Sequence, residues 1–182
     1  ILTSERVALN FLSHLSGVAT LTNMFVKKVR DAGCSHCQIV DTRKTIPGLR
    51  RLQKAAVRHG GGVNHRMGLF DMMLIKDNHI AAVGSIKRAV EIMREYLKSP
   101  EFNLQFDISE KDIPIECEIT STAQLQEAIE CGLKRLLLDN QSVDSLKTLV
   151  RLAQKLNPEV KLEASGGVTL DNVANIARTG VD

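Results

Sequence analysis

From Gln38 onward, short apolar runs alternate with longer amphipathic ones, and this alternation decides most of what the chain can become. Gln38-Ile39-Val40 reads as a strand and is followed by a helix near Gly48–His59. Met72-Met73-Leu74-Ile75 reads as a second strand, with a long helix from about Gly84 to Lys98. Ile115–Ile119 precedes a helix near Thr122–Cys131, Arg135–Leu138 a helix near Val143–Leu156, and Val160–Ala164 a helix near Leu170–Arg178. The last three strands begin roughly 20–25 residues apart, the length of a strand plus its crossover helix. Repeated βα units require a parallel sheet, either closed as a barrel or open and doubly wound. The expected class is therefore α/β, a parallel β/α barrel of TIM type, partial or open. No linker divides residues 1–182, and Ser99–Asp112, polar with a proline, reads as a surface loop.

Upstream of this pattern, Ser4 is a candidate cap for a helix beginning at Glu5 and Arg6. Its apolar positions Val7, Leu9, Phe11, Leu12, Leu15 and Val18 follow a helical rhythm. Ser16, Gly17, Ala19 and Thr20 would permit close helix approach. The chain starts at Ile1 and ends Thr179-Gly180-Val181-Asp182, which resembles the turn and first residues of another strand. The expectation is a piece of a longer, two-domain protein.

Composition removes several classes. Aromatics make up 3% with no Trp, so platforms for stacking nucleic-acid bases are nearly absent. A net charge of +3 does not by itself imply a polyanion. No apolar run reaches the roughly 18 residues a membrane span needs, and no segment resembles a signal peptide. Four cysteines, scattered at Cys34, Cys37, Cys117 and Cys131, suit a reducing cytoplasmic compartment better than a disulfide framework. Cys34-Ser35-His36-Cys37 has no second ligand pair at metal-binding spacing and reads as a loop. His14, His36 and His59 receive no role.

Charged residues gather just after the strands: Asp41-Thr42-Arg43-Lys44, Lys76-Asp77-Asn78-His79, Glu118, Asp139-Asn140 and Ser165-Gly166-Gly167. Parallel sheets build ligand sites at these carboxyl ends. Arg43, Lys44, Arg66 and Lys76, with His65, would meet at one mouth and repel one another unless an anion joins them. Arginine offers a planar fork for carboxylate or phosphate, lysine a mobile point charge. Glu116 and Glu118 alternate on one strand and share a face. Glu118 and Asp139 suit hydroxyls or a metal, whereas Glu116 lies deeper and could neutralise a neighbour. Gly60-Gly61-Gly62 suggests backbone approaching a ligand, with Gly60 alone readable as a left-handed helix terminator. Ser165-Gly166-Gly167, ahead of a helix, could cradle a phosphate with backbone N–H groups.

With DTRKTIPGLR (41–50), GGGVNHRMGLFDMMLIKDNHI (60–80), ECEI (116–119), LLLDN (136–140), EASGG (163–167) and ERVALNFLSHLSGVATLT (5–22) in view, the chain resembles the decarboxylating quinolinate phosphoribosyltransferases nearly end to end. That resemblance implies a glycosyltransferase of NAD biosynthesis, joining quinolinate to phosphoribosyl pyrophosphate with Mg²⁺. The products would be nicotinate mononucleotide, pyrophosphate and CO₂. It implies an α/β barrel behind an N-terminal sandwich domain, in a homodimer or higher oligomer. It further implies that Arg43, His65, Arg66 and Lys76 hold quinolinate, that Lys44 lies toward the donor, and that Thr42 joins the substrate site. Arg6 would reach a neighbouring subunit's site. Glu118 and Asp139 would meet the ribose hydroxyls and Mg²⁺, directly or not, and Ser165, Gly166 and Gly167 the 5′-phosphate. Glu118, Asp139, Lys44 and Lys76 are then the expected catalytic set. The competing readings are a related transferase acting on nicotinate, and a non-catalytic or different-substrate paralogue that binds an aromatic acid. A nucleic-acid module fits least.

Overall fold

The computed structural model describes residues 2–102 and 113–182, and side chains from Ser4 onward within them. In chain order the elements are α1 (Leu2–Asp31), α2 (Arg50–His59), β1 (Met73–Ile75), α3 (Asp77–Val83), α4 (Ile86–Leu97), β2 (Ile115–Ile119), α5 (Thr122–Glu130), β3 (Arg135–Asp139), α6 (Val143–Leu156), β4 (Lys161–Ser165) and α7 (Val173–Ala177). The four strands form one sheet in the order β1-β2-β3-β4, every pairing parallel.

That order chooses between the two architectures the βα repeat allows. A doubly wound sheet reverses direction at a switch point and carries helices on both faces, whereas here the strands advance in sequence. Ile75, Cys117, Ile119, Leu136, Leu138 and Leu162 pack with Ile86 and Val90 of α4, Leu125 of α5, and Leu146 and Leu149 of α6. All these helices therefore cover one face. The sheet is thus singly wound, its strands in sequence order with one helical layer. Its other face carries Glu116, Glu118, Arg135, Leu137, Asp139, Glu163 and Ser165, because side chains alternate along a strand. A half-polar sheet of this kind puts its core on one side and its chemistry on the other.

Caps at the helix starts fix where each crossover turns. Ser85, Ser121 and Ser142 each accept a hydrogen bond from the backbone N–H three residues on, at Arg88, Gln124 and Ser145.

Several expectations are corrected. Ser4 lies inside α1 and does not cap it. Gln38–Val40 contributes only an isolated parallel bridge, Val40 to Val63. Asp77–Val83 is a separate helix, started by Lys76 with His79 Nδ1 accepting from the Lys76 N–H at 3.1 Å. The last helix begins at Val173, three residues later than expected, because Asn172 first closes the turn through Thr169 and Gly167. Of the expected loop Ser99–Asp112, residues 100–102 are helical and Phe102 is fully buried. Residues 103–112 of that loop lie outside the described residues.

The triple glycine has a packing explanation. Gly60 is not left-handed (φ −76°); Gly61 is, at φ +89°. A Cβ at Gly60 would sit 2.4 Å from the Ala19 carbonyl oxygen, and one at Gly62 would sit 2.8 Å from Thr22 Cγ2 and Val57 Cγ1. These glycines admit α1 against the end of α2. The expected close approach is to a helix and not to a ligand.

Candidate active site

Asp41 sits where the first apolar run ends, and a buried knot forms around it. Lys54 of α2, 1% exposed, pairs with Asp41 Oδ1 and also donates to the His65 carbonyl at 2.9 Å. Asn64 Nδ2 donates to Asp41 Oδ2 at 2.6 Å, and the His65 N–H donates to Asp41 Oδ1 at 2.9 Å. A buried ammonium is tolerated only when paired and hydrogen-bonded, and this one fixes the backbone that carries His65 and Arg66. Arg50 works similarly on the surface side. Its guanidinium donates to the carbonyls of Arg43 and Met67, both at 3.2 Å, and to Thr45 Oγ1 at 3.1 Å. It thereby ties the 41–45 segment to the 66–72 loop. Asp71 folds that loop by accepting from the N–H groups of Met67 and Gly68 at 2.6 and 3.0 Å.

On this frame the expected cations do not all converge equally. Arg43 and Arg66 are neighbours, both half-buried. The Arg66 guanidinium is pushed below the usual arginine range by burial and then by Arg43, with Glu116 and Asp71 acting against the shift. Arg43 Nε is buried and has no hydrogen-bond partner among the described residues. Lys76 stands instead beside Glu118. Lys44 is exposed; Thr42 Oγ1 accepts from its backbone N–H at 2.9 Å, so Thr42 shapes the turn. Arg6 is exposed on α1, and no hydrogen bond or ion pair among the described residues links it to the strand exits.

His65 has company that the sequence reading did not assign. Its Nε2 lies 2.8 Å from Glu116 Oε2 and 3.2 Å from Glu163 Oε2. The two carboxylates outweigh burial and raise the imidazole to about 9. Glu116 thus neutralises a neighbour, as one expectation had it. Glu163 was missed, although its place two residues before Ser165 on a strand puts both on one face.

Glu118 and Asp139 lie on adjacent strands at the same end. The Glu118 carboxyl is raised above the usual range by burial and then by Asp139, while Lys76 and a backbone hydrogen bond from Asp77 oppose the shift. Its Oε2 is buried without a partner. Both Asp139 oxygens are engaged: Ser165 Oγ donates to Oδ1 and Asn140 Nδ2 to Oδ2, each at 2.6 Å. Ser165 is therefore oriented by Asp139. Gly166 has φ +86°, and a Cβ there would meet Asn140 Oδ1 at 2.1 Å. Only glycine suits this turn. Gly167, at φ +61°, faces open space.

A cavity of about 650 Å³ runs beneath the charged face between β4, α7 and α1. It reaches the candidate site at Thr42, Glu116, Glu163, Ser165 and Gly166. Arg43, Arg66, Lys76, Glu118 and Asp139 lie outside its lining. The buried polar atoms without a partner among the described residues, Arg43 Nε and Glu118 Oε2, lie at the strand exits and outside this cavity. Cys37 is pushed up to about 11, chiefly by burial, and all four thiols are free. The Cys34-Ser35-His36-Cys37 stretch thus remains a loop with a protonated thiol at neutral pH. Among the described residues no helix is long and apolar enough to cross a membrane.

Fold and site together define an α/β protein of singly wound parallel βα units, with cationic and acidic side chains gathered at the strand ends. Residues 18–182 match the family described as quinolinate phosphoribosyl transferase, C-terminal domain, and the chain belongs to that family. It is 45% identical over its whole length to a probable nicotinate-nucleotide pyrophosphorylase [carboxylating] of Synechocystis, covering 57% of that relative. The Mycobacterium leprae nicotinate-nucleotide pyrophosphorylase [carboxylating] is 46% identical, again over the whole chain and 58% of the relative. Among solved structures, the nicotinate-nucleotide pyrophosphorylase from Francisella tularensis superposes with a TM-score of 0.84 at 41% identity, over the whole chain and 58% of its own. The chain thus spans little more than half the length of these relatives.

Proposed function

We propose that the protein carrying this chain is a decarboxylating quinolinate phosphoribosyltransferase of NAD biosynthesis. The observation that most supports this is a site incomplete in both signs. Arg43 and Arg66 crowd together with a buried guanidinium nitrogen unpaired, and Glu118 keeps a buried carboxylate oxygen unpaired. Quinolinate brings two carboxylates, which Arg43, Arg66, His65 and Lys76 would clamp; a phosphoribosyl donor brings hydroxyls and phosphates. Lys44 would face the donor's pyrophosphate, with Thr42 shaping that turn, and Ser165, Gly166 and Gly167 would take the 5′-phosphate.

The pyridine nitrogen of quinolinate attacks the anomeric carbon as the bond to pyrophosphate breaks. Glu118 and Asp139 stabilise the positive charge that develops on the ribose, and Lys44 and Lys76 the leaving negative charge. The alkylated ring nitrogen is cationic, so it stabilises the electron pair left on C2 when the C2 carboxylate departs as CO₂. A proton then takes that position on the ring. The protein contributes positioning and charge stabilisation, and no residue forms a covalent intermediate. The unpaired Glu118 oxygen and the Asp139 carboxylate are hard donors that fit Mg²⁺. Glu118 and Asp139 would hold the ion, directly or through water. Mg²⁺ would supply charge neutralisation to the pyrophosphate when bound.

We read residues 1–182 as one unit of a β/α barrel, in a homodimer or higher oligomer whose sites borrow Arg6 across subunits. The exposed Val7, Leu9, Phe11 and Leu12 on α1 support a covered face there. Four free thiols support a reducing, cytoplasmic setting. The test supplies the intact protein with Mg²⁺, phosphoribosyl pyrophosphate and either quinolinate or nicotinate. Equal amounts of CO₂ and mononucleotide, from quinolinate only, are expected. Mononucleotide from nicotinate without CO₂ would move the protein to the related transferase. Tight quinolinate binding without product would make it a binding paralogue.

A further inference from the structure

We propose that Glu116 and Glu163 are positioning residues that hold His65 by Nε2 as an imidazolium, so that Nδ1–H is the one ring donor left to meet a carboxylate of the bound acid. This rests on the functional reading above and adds two residues to it. The geometry carries the argument. Nε2 lies within hydrogen-bond reach of two carboxylate oxygens from two strands, Glu116 of β2 and Glu163 of β4. The Glu116 side chain is 1% exposed, and a buried carboxylate persists only beside a cation or donor. A bare Nε2 lone pair would face two anions, so the proton belongs on that nitrogen. Nδ1 has no hydrogen-bond partner among the described residues, while the His65 backbone is pinned on both sides through Asp41 and Lys54.

The charge count gives this arrangement a purpose. An imidazolium with two carboxylates carries net −1, so His65 adds no net attraction for an anion. It adds a donor of fixed direction, and the positive charge comes from Arg43 and Arg66. The other charged groups around the trio are Arg66, whose field reaches Glu116, and Arg135, Lys161, Asp41 and Asp182, which line the same cavity as both glutamates, with Lys161 and Asp182 paired at 2.6 Å. Lys54 is already paired with Asp41. Burial disfavours the imidazolium, and the two direct hydrogen bonds outweigh it, consistent with a ring raised to about 9.

The sign follows. A raised histidine keeps its proton below about 9, so affinity for the acid persists through neutral pH and falls only as the ring deprotonates. Glu116→Gln and Glu163→Gln remove one carboxylate each and lower the ring toward its ordinary value. The experiment measures KM for quinolinate and kcat from pH 6 to 9.5 in the intact protein, with ¹⁵N-resolved histidine ring spectra alongside. The expected wild-type KM is level to about pH 8. In each variant its rise begins at least one pH unit lower, giving at least roughly a twofold higher KM at pH 8 and roughly a fivefold higher one at pH 9, with kcat at saturation little changed. Glu163→Asp, which restores the charge, should recover most of the wild-type profile.

A KM raised equally at every pH would make the glutamates merely structural and overturn the proposal. So would a wild-type His65 that titrates near 6.5, or one whose Nε2 proton is displaced by one equivalent of Zn²⁺, since these three side chains also satisfy the donor set of a metal site. Should Glu116→Gln fail to fold, the more exposed Glu163 and the wild-type ring titration still decide the matter. Wild-type protein that makes no product would overturn the functional reading alone, because the ring titration is independent of turnover.

Discussion

Arg66 and Glu118 are the residues at which burial works against the isolated chain. Each is charged and half-buried, and each is held in a state its surroundings disfavour. Arg66→Ala should cost roughly 2–5 kcal/mol of quinolinate binding, as for one partner lost from a desolvated charge pair. That is at least about thirtyfold in affinity, and a change under about threefold by calorimetry would remove Arg66 from the clamp. Glu118→Gln should separate stability from activity. A carboxyl raised in the folded state binds its proton more tightly there, so its relative contribution is best at low pH and is lost as pH rises through the folded value. The neutral amide removes that penalty. The variant should melt higher than wild type at pH 7 without ligand, while kcat falls by two or more orders of magnitude. Equal melting temperatures would mean that the crowding with Asp139 is relieved in some other way. At this scale the sequence showed which residues stand at strand exits, because charged residues after an apolar run are visible in order. It did not show partners. Glu163 and Glu116 converge on His65 from separate strands, and Lys54 looks like any surface lysine on an amphipathic helix until Asp41 is placed beside it.

At the scale of elements, the junction of α1 and α2 offers a matched pair of glycines. Gly60 has an ordinary backbone angle, yet a Cβ would collide with the Ala19 carbonyl. Gly60→Ala should therefore destabilise by about 1–3 kcal/mol through overpacking. Gly17, inside α1, has nothing within 4 Å of its would-be Cβ. Gly17→Ala should stabilise by about 0.5–1 kcal/mol, the backbone entropy a mid-helix glycine wastes. Denaturant melts of both variants check the contrast. A loss of stability in Gly17→Ala would mean that another surface packs there in the intact protein. The strands β2, β3 and β4 and the helices α5 and α6 were legible, since β3 is a run of leucines, β2 and β4 alternate apolar with polar residues, and α5 and α6 follow serine caps with helical apolar spacing. The failures have local causes. Lys76-Asp77-Asn78-His79 looks like loop, but a histidine three residues past Lys76 closes a capping box and starts α3. Gln38-Ile39-Val40 has strand composition but only Val63 as a bridge partner, and strand identity depends on a neighbour as much as on the segment.

For the whole molecule, the decisive question is whether one chain completes a site. The polar face of the sheet supplies acids and bases, but Arg6 stands exposed on α1, with no hydrogen bond or ion pair to that face among the described residues. The same helix exposes Val7, Leu9, Phe11 and Leu12. Apolar side chains exposed around the start of a helix that carries a candidate substrate arginine are explained if a second subunit packs there and receives the arginine. Closed two-fold symmetry would make the exchange mutual, each protomer lending Arg6 to the other. Subunit complementation tests this directly. Arg6→Ala and Glu118→Gln should each be nearly inactive as homodimers. Mixed and allowed to exchange, they form hybrids in which one site joins the intact Glu118 of the first variant to the intact Arg6 of the second. With random exchange, roughly a quarter of wild-type activity should return, since half the dimers are hybrids and each holds one working site of two. If each chain supplied its own Arg6, every site in the mixture would lack one residue and none would recover. Recovery that rises with exchange time and stops on crosslinking the starting homodimers would assign Arg6 to the neighbour's site.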